Sequence, residues 1–305
     1  MEISFVIPCY KSTSALTDLV TDLVGVCRES GLSCDVTLVL DSRDPETYSI
    51  SEKLNSQFSE VNRVILSRNF GQQGATAAGI MSSTGDIVVT LDDDYQHLPS
   101  DALALAQKLL DNPDIDLVYG VPRERTQPRL RSMGSSLFRS LMKMLGLASF
   151  ENFGPLRAFR GVFRESLRNS LEPGIAIDVA LSWVVNTVDS VDCDFQWREQ
   201  GQSGYGGAAR FKLAVSYFVT HTTAPLQFGI YLGFFGVFIT VIFASIILTQ
   251  YLVGAIEVPG FVSTLLTVLF IGSIQLLLLG ILGRYVGQQH RRGLGQPLFF
   301  ILEKD

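Results

Sequence analysis

The chain is poor in the residue types that build metal clusters and disulfide frameworks. Its only cysteines are Cys9, Cys27, Cys34 and Cys193, and its only histidines are His97, His221 and His290. The cysteines show no C-x-x-C spacing and the histidines lie far apart, which argues against a structural zinc site. Acidic residues outnumber basic ones, the formal net charge is −6 and no basic tract is present. This charge balance argues against a nucleic-acid partner.

Charged residues are also missing from two long stretches near the carboxyl end, Leu226–Ile256 and Val258–Gly283. Each exceeds the roughly 20 residues that a helix needs to cross a bilayer core. Only Glu257, beside Pro259 and Gly260, separates them. A buried helical hairpin in a soluble protein is the alternative, but such helices usually carry charges on an exposed face. The pattern predicts a transmembrane hairpin within residues 226–288, with spans at about 226–253 and 261–284.

The basic residues that flank this hairpin predict its orientation. The turn contains no Lys or Arg, whereas Arg210 and Lys212 precede the first span and Arg284, Arg291, Arg292 and Lys304 follow the second. The positive-inside rule therefore places both termini and the preceding domain in the cytoplasm. No signal peptide is expected, because Met1 and Glu2 lead directly into a short strand. A cytoplasmic location also predicts free thiols.

The first 120 residues alternate between strand and helix patterns. Strands are predicted at Ile3–Ile7, Val36–Leu40, Val64–Leu66, Ile87–Leu91 and Leu117–Tyr119, and helices at Leu16–Cys27, Gly74–Met81 and Ala102–Leu110. Ser12 or Ser14 is the expected N-cap of the first helix. Strands separated by helices indicate βαβ units, so residues 1–207 are predicted to form an α/β domain with a mostly parallel, Rossmann-like sheet.

Three consecutive carboxylates, Asp92, Asp93 and Asp94, follow the strand Ile87–Leu91. Side chains alternate along an extended segment, so Asp92 and Asp94 are expected to share one face while Asp93 points elsewhere. Ligands bind at the carboxyl edge of open α/β sheets, and hard carboxylate oxygens suit Mg²⁺ or Mn²⁺. The alternative is a solvated acidic turn.

Two amphipathic segments are candidates for the membrane surface. Residues 129–147 combine an apolar stripe with Arg129, Arg131, Arg139 and Lys143. A basic amphipathic helix of this type is typical of a membrane interface, although an ordinary core-facing helix fits equally well. Residues 208–225 are predicted to form a juxtamembrane helix at the interface, and residues 289–305 a cytoplasmic tail.

Several short motifs, in this order, resemble one known family. They are Phe5-Val6-Ile7-Pro8-Cys9-Tyr10, Leu66-Ser67-Arg68-Asn69-Phe70-Gly71, Thr90-Leu91-Asp92-Asp93-Asp94-Tyr95-Gln96, Tyr119-Gly120-Val121, Arg198-Glu199-Gln200-Gly201-Gln202-Ser203-Gly204-Tyr205 and Leu279-Gly280-Ile281-Leu282-Gly283-Arg284-Tyr285-Val286-Gly287. Together with the hairpin, they resemble the family 2 glycosyltransferases of GT-A fold. The narrower resemblance is to the polyprenyl-phosphate glycosyltransferases, which include dolichol-phosphate mannose synthases and undecaprenyl-phosphate sugar transferases.

The resemblance implies that a sugar moves from a nucleotide-diphosphate donor, expected to be a UDP-sugar, to polyprenyl phosphate. It assigns nucleotide-sugar binding to Pro8, Tyr10, Asp41, Arg68, Gly74, Asp92 and Asp93, and it places Gln96 against the donor or the acceptor. Asp41 as a turn cap is the alternative, because aspartate often caps turns at strand ends. A homo-oligomer, such as a tetramer, is also implied.

The residues themselves suggest how such a reaction is catalysed. The pyrophosphate leaving group develops negative charge, which a divalent cation held by Asp94 and Asp92 would stabilise. The acceptor phosphate has a second pKa near roughly 6, so it is ionised at neutral pH and needs cations rather than a base. Arg198, close to Ser203, is the best candidate for binding this phosphate, and Arg131 is a weaker one. A surface salt bridge is the alternative role for Arg198.

The chain departs from the family pattern at several positions. Leu40 stands where members usually have a second acid beside Asp41, and Gly154-Pro155 replaces a frequent aspartate. These changes leave two other interpretations open. One is a degenerate relative that acts as a membrane scaffold, and the other is a processive polysaccharide synthase. The second is disfavoured because Gln196-Trp197-Arg198 lacks the Q-x-x-R-W spacing. No residue identifies the transferred sugar.

Overall fold

The structure, a computed structural model, describes residues 1–123, 154–171, 175–195, 260–293 and 297–305, with isolated positions between 235 and 253. The chain divides into two compact units. The first comprises Met1–Gly204 together with Pro297–Asp305, and the second comprises Tyr205–Gln296.

The first unit is a layered α/β fold. Its strands are β1 (Glu2–Cys9), β2 (Ser33–Leu40), β3 (Val61–Leu66), β4 (Ile87–Thr90), β5 (Leu117–Pro122), β6 (Arg157–Arg160), β7 (Val188–Cys193) and β8 (Ile301–Lys304). Its helices are α1 (Ser14–Ser30), α2 (Pro45–Gln57), α3 (Gly71–Ser82), α4 (Pro99–Asp111), α5 (Arg164–Ser170) and α6 (Ile177–Val184). The five predicted strands and three predicted helices are all present, with most of them extended by a few residues.

The strands form one sheet in the order β7-β5-β6-β4-β1-β2-β3-β8. β1 pairs in parallel with both β2 and β4, β2 pairs in parallel with β3, and β5 pairs in parallel with β7. The prediction of a mostly parallel Rossmann-like sheet is confirmed for this central part. β6 and β8 run antiparallel to their neighbours, so the sheet is mixed. Strand order reverses at β1, which places the ends of β1 and β4 at a topological switch point.

Helix α1 shows how the apolar pattern builds the core. Leu16, Leu19, Val20, Leu23, Val24 and Cys27 are all buried against the sheet. The predicted cap is wrong: Thr13 is the N-cap residue, and its side chain makes no capping hydrogen bond. The helix ends at Gly31, whose φ of 67° suits glycine and whose amide donates to the Arg28 carbonyl.

Helix α2 has too weak an apolar periodicity to be predicted from the sequence. Its start is nevertheless well specified, because the Asp44 carboxylate accepts a hydrogen bond from the Thr47 amide at 3.0 Å and Pro45 occupies the first turn. The signal was present in the sequence as an aspartate-proline pair with a threonine three residues after the aspartate.

The carboxyl-terminal strand β8 returns to the first unit and covers the edge of β3. Val64 pairs with Lys304 and Ile65 pairs with Glu303 in antiparallel register. The buried Arg63 forms an ion pair with Asp305, the last residue. Residues 297–305, predicted only as part of a cytoplasmic tail, are thus built into the sheet.

In the second unit, the described residues include the helix α7 (Phe261–Gly293). Among the residues described by the structure, no helix meets the combined length and apolar character needed to span a membrane. The segment 129–147, the segment 208–225 and most of the first predicted span lie outside the described residues.

Candidate active site

The candidate site lies where β1, β2, β3 and β4 end together at the carboxyl edge of the sheet. Four loops meet there because these strands are parallel neighbours. The loops begin at Tyr10, Asp41, Ser67 and Leu91. This is the edge at which ligands bind in open α/β folds.

The acidic triplet occupies the loop after β4. The strand ends at Thr90, and Asp93 and Asp94 form a turn, so strand alternation does not set their directions. The Ser12 hydroxyl donates to Asp93, and Asp92 interacts electrostatically with both Asp94 and Asp93. That Asp92 and Asp94 share one face while Asp93 points elsewhere stays a prediction.

Asp92 is the most perturbed carboxylate of the triplet. Burial raises its pKa to about 6, with further contributions from Asp94 and Asp93. Arg157 opposes this shift, as does Gln72, whose Nε2 donates to Asp92 Oδ1 at 2.6 Å. A half-buried carboxylate between two like charges is poorly stabilised as an anion, so added positive charge at this point is favourable.

Gln96 fixes the orientation of Asp94. The Gln96 side-chain Nε2 donates to Asp94 Oδ2 at 2.6 Å, and the Gln96 amide donates to Asp94 Oδ1 at 3.2 Å. Both carboxylate oxygens are therefore positioned by one residue. The expected role of Gln96 against the donor or the acceptor stays a prediction.

Asp93 links the acidic loop to the loop after β1. Burial raises the pKa of Asp93, and hydrogen bonds from the Ser12 hydroxyl and the Tyr10 amide oppose the shift. Ser12 is buried, and its amide donates to Thr47 Oγ1 at 2.9 Å. Asp93 thus joins the acidic loop to the loop after β1.

Two residues at this edge have a left-handed backbone, Lys11 with φ 52° and Tyr95 with φ 58°. Such a conformation typically costs a non-glycine residue about 1–3 kcal/mol, and surrounding contacts must maintain it. The Tyr95 hydroxyl donates to Asp22 on α1, which raises the Tyr95 pKa to about 12. Tyr95 thereby ties the acidic loop to α1.

Asp41 organises the loop that follows β3. Its Oδ1 accepts a hydrogen bond from the Phe70 amide at 2.7 Å, and burial raises the pKa of this carboxyl while the Phe70 and Gly71 amides oppose the shift. These contacts favour the alternative role of a cap, because the carboxylate is occupied by backbone donors. A role for Asp41 in nucleotide binding stays a prediction.

The other residues predicted to bind the nucleotide sugar differ from one another in burial and contacts. Pro8 lies half-buried in β1, and the Tyr10 side chain is half-exposed beside it. Arg68 is exposed and stacks on the Phe70 ring, with 4.4 Å between its guanidinium carbon and the ring centroid. Gly74 is buried, and a Cβ there would lie 2.8 Å from Phe70 Cβ and 2.9 Å from the Leu298 carbonyl oxygen. Tight packing therefore explains the glycine.

A buried polar network lies behind the acidic loop, and the sequence did not predict it. Arg157 on β6 pairs with Asp178 on α6 and donates from Nε to Thr90 Oγ1 at 3.0 Å. The Tyr119 hydroxyl donates to Asp178 Oδ1 at 2.9 Å. The only sequence signal was one arginine in an apolar segment, and its partner lies 21 positions away.

His97 and two glutamines complete the surroundings of the loop. Burial lowers the pKa of His97, and its ring meets Phe195 edge-on with centroids 5.0 Å apart. Gln72 contacts Asp92, while the Oε1 of its neighbour Gln73 accepts from the Ile177 amide at 3.0 Å. The first turn of α3 thus connects the acidic loop with α6.

Part of the predicted site cannot be placed. The acceptor-phosphate candidates Arg131, Arg198 and Ser203 lie outside the described residues. Within the described residues, no group of three or more His, Cys, Asp or Glu side chains is arranged to hold a metal ion. Asp92 and Asp94 would therefore supply only part of a cation's coordination shell.

Comparison with curated proteins finds relatives along nearly the whole chain. The undecaprenyl-phosphate 4-deoxy-4-formamido-L-arabinose transferase of Pseudomonas aeruginosa is 29% identical over 303 residues, covering 98% of this chain and 89% of the relative. The enzyme of the same name from Aeromonas hydrophila is 28% identical over 303 residues, with 98% and 92% covered. An uncharacterized glycosyltransferase of Synechocystis is 25% identical over 305 residues, covering 99% and 95%.

Solved structures share the fold at low sequence identity. Glucosyl-3-phosphoglycerate synthase from Mycobacterium tuberculosis has a TM-score of 0.54 and 18% identity, covering 71% of this chain and 79% of that one. A mannosyltransferase from Pyrobaculum calidifontis, solved with GDP-Man and Mn²⁺, has a TM-score of 0.52 and 19% identity, covering 74% and 64%. The first unit therefore has the GT-A fold.

The family assignment rests on more than half of the chain. Residues 4–170 match the family described as Glycosyl transferase family 2. The match begins in β1 and ends in α5, so it includes the acidic loop and Arg157, whereas Asp178 lies beyond it. The chain belongs to glycosyl transferase family 2.

Proposed function

We propose that this protein is an inverting glycosyltransferase that moves a sugar from a UDP-sugar to polyprenyl phosphate at the cytoplasmic face of the inner membrane. The observation that carries the proposal is the pair of carboxylates, Asp92 and Asp94, at the carboxyl edge of β4. The names of the curated relatives, which act on undecaprenyl phosphate, support the acceptor class. Family membership supports the reaction type.

The residues at this edge fit a divalent cation. Two carboxylates repel each other there, and the Asp92 pKa of about 6 reflects that repulsion together with burial. Mg²⁺ and Mn²⁺ are commonly bound by one or two carboxylates and the phosphates of a substrate. A neighbour of the same fold was solved with Mn²⁺ and UDP-glucose. When bound, the ion would stabilise the negative charge that develops on the diphosphate leaving group.

The chain's own residues orient this cation site. Gln96 holds both oxygens of Asp94, and Gln72 holds one oxygen of Asp92. Ser12 binds Asp93 and keeps that carboxylate turned toward the β1 loop. Each acid is thus held in place by a neutral donor, which limits the rearrangement needed when donor and cation bind.

The acceptor side needs positive charge rather than a base. The phosphate of a polyprenyl phosphate is ionised at neutral pH and can attack without losing a proton to the protein. Asp178 is engaged by Arg157 and Tyr119, and we assign it no role as a base. We assign acceptor-phosphate binding to Arg198 and Ser203, with Arg131 as a further candidate.

The proposed acceptor is a membrane lipid, so the apolar carboxyl-terminal segments would anchor the protein in the membrane that contains it. We propose that residues 226–253 and 261–284 form the two spans of a hairpin and that the first unit faces the cytoplasm. The absence of charge from Leu226–Ile256 and Val258–Gly283 supports this topology. Small residues in the first span, Gly229, Gly233 and Gly236, would allow close helix packing in a homo-oligomer such as a tetramer.

The direct test is a transfer assay with the purified full-length protein. Undecaprenyl phosphate, Mn²⁺ and a panel of UDP-linked and GDP-linked sugars are incubated with the protein, and lipid products are resolved by mass spectrometry. A glycolipid that carries one sugar is the expected product. Failure to form a glycolipid with any donor would contradict the proposal, and a ladder of longer products would indicate a processive synthase.

A matched pair of variants separates catalysis from folding. Asp94→Asn should abolish transfer, because a neutral amide oxygen binds a divalent cation much more weakly than a carboxylate does. Asp86→Asn is the control. Asp86 lies at the opposite edge of the sheet, where it accepts a hydrogen bond from the Glu2 amide at 3.1 Å. Equal activity in the two variants would count against a catalytic role for the acidic loop.

A further inference from the structure

The last nine residues, Pro297–Asp305, form a segment that we call the C-terminal tail. Beyond the strand pairing of β8 with β3, the tail is fixed at both of its ends. Near its start, the Ser67 amide donates to the Phe300 carbonyl at 3.0 Å. At its end, Arg63 and Asp305 exchange two backbone hydrogen bonds of 3.2 and 3.0 Å. The tail is therefore an integral strand rather than a loose terminus.

The start of the tail lies against the loop Ser67–Phe70, which we call the donor loop. The tail holds Ser67 through the Phe300 carbonyl, and Asp41 holds Phe70 at the opposite end of the loop. The loop is thus fastened at both ends by groups that come from distant parts of the sequence. Arg68, predicted to contact the nucleotide, lies between the two attachments.

Gly74 provides a second contact between the tail and this region. Only hydrogen at the Cα of Gly74 leaves room for both Phe70 and the Leu298 carbonyl, since a Cβ would lie within 3.0 Å of each. The first turns of α3, the end of the donor loop and the tail are consequently packed together. A displacement of the tail would be transmitted to Phe70 through this contact.

An ion pair with a buried arginine holds the far end of the tail against β3. Arg63 is 7% exposed, and its guanidinium forms an ion pair with the Asp305 carboxylate. Two other nitrogens of the guanidinium, Nε and Nη1, are buried without a hydrogen-bond partner. Removing Asp305 would leave a buried charge without its anion, and removing β8 would expose the edge of β3.

We propose that the C-terminal tail is a positioning element of the donor site: it holds the donor loop in the conformation that binds the nucleotide sugar. The inference rests on the proposed function, because it assigns the tail to the donor half of that reaction. In the chain, residues 285–296 separate the tail from the second proposed span, 261–284.

The first test removes the tail from the full-length protein and restores it in trans. Deletion of residues 297–305 should raise the KM for the nucleotide sugar about tenfold, as expected when a binding loop loses its support, and leave the KM for polyprenyl phosphate unchanged. A synthetic peptide with the sequence of residues 297–305 should lower the donor KM again. A scrambled peptide of the same composition is the control.

Point variants test the same idea without truncation. Asp305→Ala loosens the tail from its far end, and Gly74→Ala places a methyl group against the Leu298 carbonyl. Both should raise the donor KM, and their effects should be less than additive because they act through one displacement. Glu303→Ala, at a solvent-exposed position on β8, is the matched control and should leave both KM values unchanged.

The outcomes distinguish this proposal from the proposed function itself. If the wild-type protein forms no glycolipid with any donor, the proposed function fails, and the tail is then judged by hydrogen exchange. Faster exchange of the Ser67, Phe70 and Gly71 amides after tail deletion would support the proposal. Unchanged exchange in these amides, or an equal rise of the donor and acceptor KM values, would overturn it, since a merely structural strand would not act on the donor alone.

Discussion

At the scale of single residues, the ionised carboxylate of Asp92 is destabilised by burial and by neighbouring carboxylates, and a bound cation would offset this destabilisation. Its carboxylate is half-buried, lies near Asp94 and Asp93, and is only partly compensated by Gln72 and Arg157. The resulting pKa of about 6 means that the folded protein binds a proton at Asp92 more tightly than the unfolded chain does. The ionised form of this residue therefore lowers the stability of the protein until a cation binds.

This conclusion predicts that Asp92→Asn stabilises the metal-free protein at neutral pH. Because the folded pKa is about 6 and the ordinary value is 3.8, the destabilisation by Asp92 develops as the pH rises from about 4 through about 6. A shift of about two units corresponds to at most about 3 kcal/mol. The melting temperature of the variant should exceed that of the wild type at pH 7.5, and the difference should disappear near pH 4.

Asp44 supplies a control, because its pKa is shifted in the opposite direction to that of Asp92. A hydrogen bond from the Thr47 amide lowers the pKa of Asp44, so its ionised form contributes stability at neutral pH that is lost as the pH falls through its depressed folded pKa. Asp44→Asn should therefore lower the melting temperature at pH 7.5. A gain in stability for Asp92→Asn that did not vary with pH would show that ionisation of the buried Asp92 carboxyl is not its cause.

The buried ion pair between Arg157 and Asp178 yields a second prediction at this scale. Arg157→Met leaves the Asp178 carboxylate buried without its cation, which typically costs about 3–5 kcal/mol. Asp178→Asn leaves the guanidinium unpaired. The double variant should be more stable than the sum of the two losses predicts, as measured by urea unfolding. Additive losses would mean that the two side chains are not coupled.

At the scale of elements, helix α3 lies unusually close to the sheet. A Cβ at Gly79 would approach Val6 Cγ1 to 2.3 Å and Val39 Cγ2 to 2.8 Å, so glycine is required for this contact. The close approach brings the first turn of α3, with Gln72 and Gln73, to the acidic loop and α6. Helix packing at Gly79 and side-chain placement at the site are therefore linked.

Replacement of this glycine predicts a specific loss. Gly79→Ala improves helix propensity but forces a methyl group into the sheet, and overpacking of this kind costs about 1–3 kcal/mol. Gly25→Ala in the middle of α1 is the matched control, because no atom lies within 4 Å of its added Cβ. The control should gain up to about 1 kcal/mol from propensity. Two variants of equal stability would contradict the packing argument.

At the scale of the whole molecule, the chain begins and ends in the same sheet. β1 is central, β8 forms one edge, and the apolar segments lie between them in sequence. The proposed reaction requires a soluble donor to meet an acceptor embedded in lipid. The proposed hairpin, which lies in the sequence between the two parts of the first unit, would satisfy that requirement.

The proposed hairpin predicts how the protein behaves in cell fractions. The full-length chain should sediment with membranes and resist extraction by alkaline carbonate or 1 M salt, at which surface electrostatic attraction is largely screened. Only detergent should release it, because transmembrane helices expose about 20 apolar residues each to lipid. Release by salt alone, as judged by immunoblotting, would show surface attachment instead of two spans.

Local patterns were sufficient for much of this protein. Apolar runs predicted the five strands β1 to β5, and the Asp92–Asp94 triplet at the end of one of them marked the ligand edge. These features depend on short-range backbone geometry, so a single sequence contains them. The family followed from motif order along the chain. The paired antiparallel strand β6 and the helix α2 were not predicted, because their apolar patterns are short or weak.

Only the tertiary structure decided which distant residues meet. Nothing local indicates that Arg157 contacts Asp178, that Gln72 reaches Asp92, or that the last residue pairs with Arg63. Such contacts depend on how strands and helices pack, and their partners are separated by tens to hundreds of positions. Sequence by itself thus determined the first five strands, three of the helices, the family and the position of the acidic triplet after β4. Packing decided the direction of each carboxylate and the place of the tail, because burial and charge act between neighbours in space rather than along the chain.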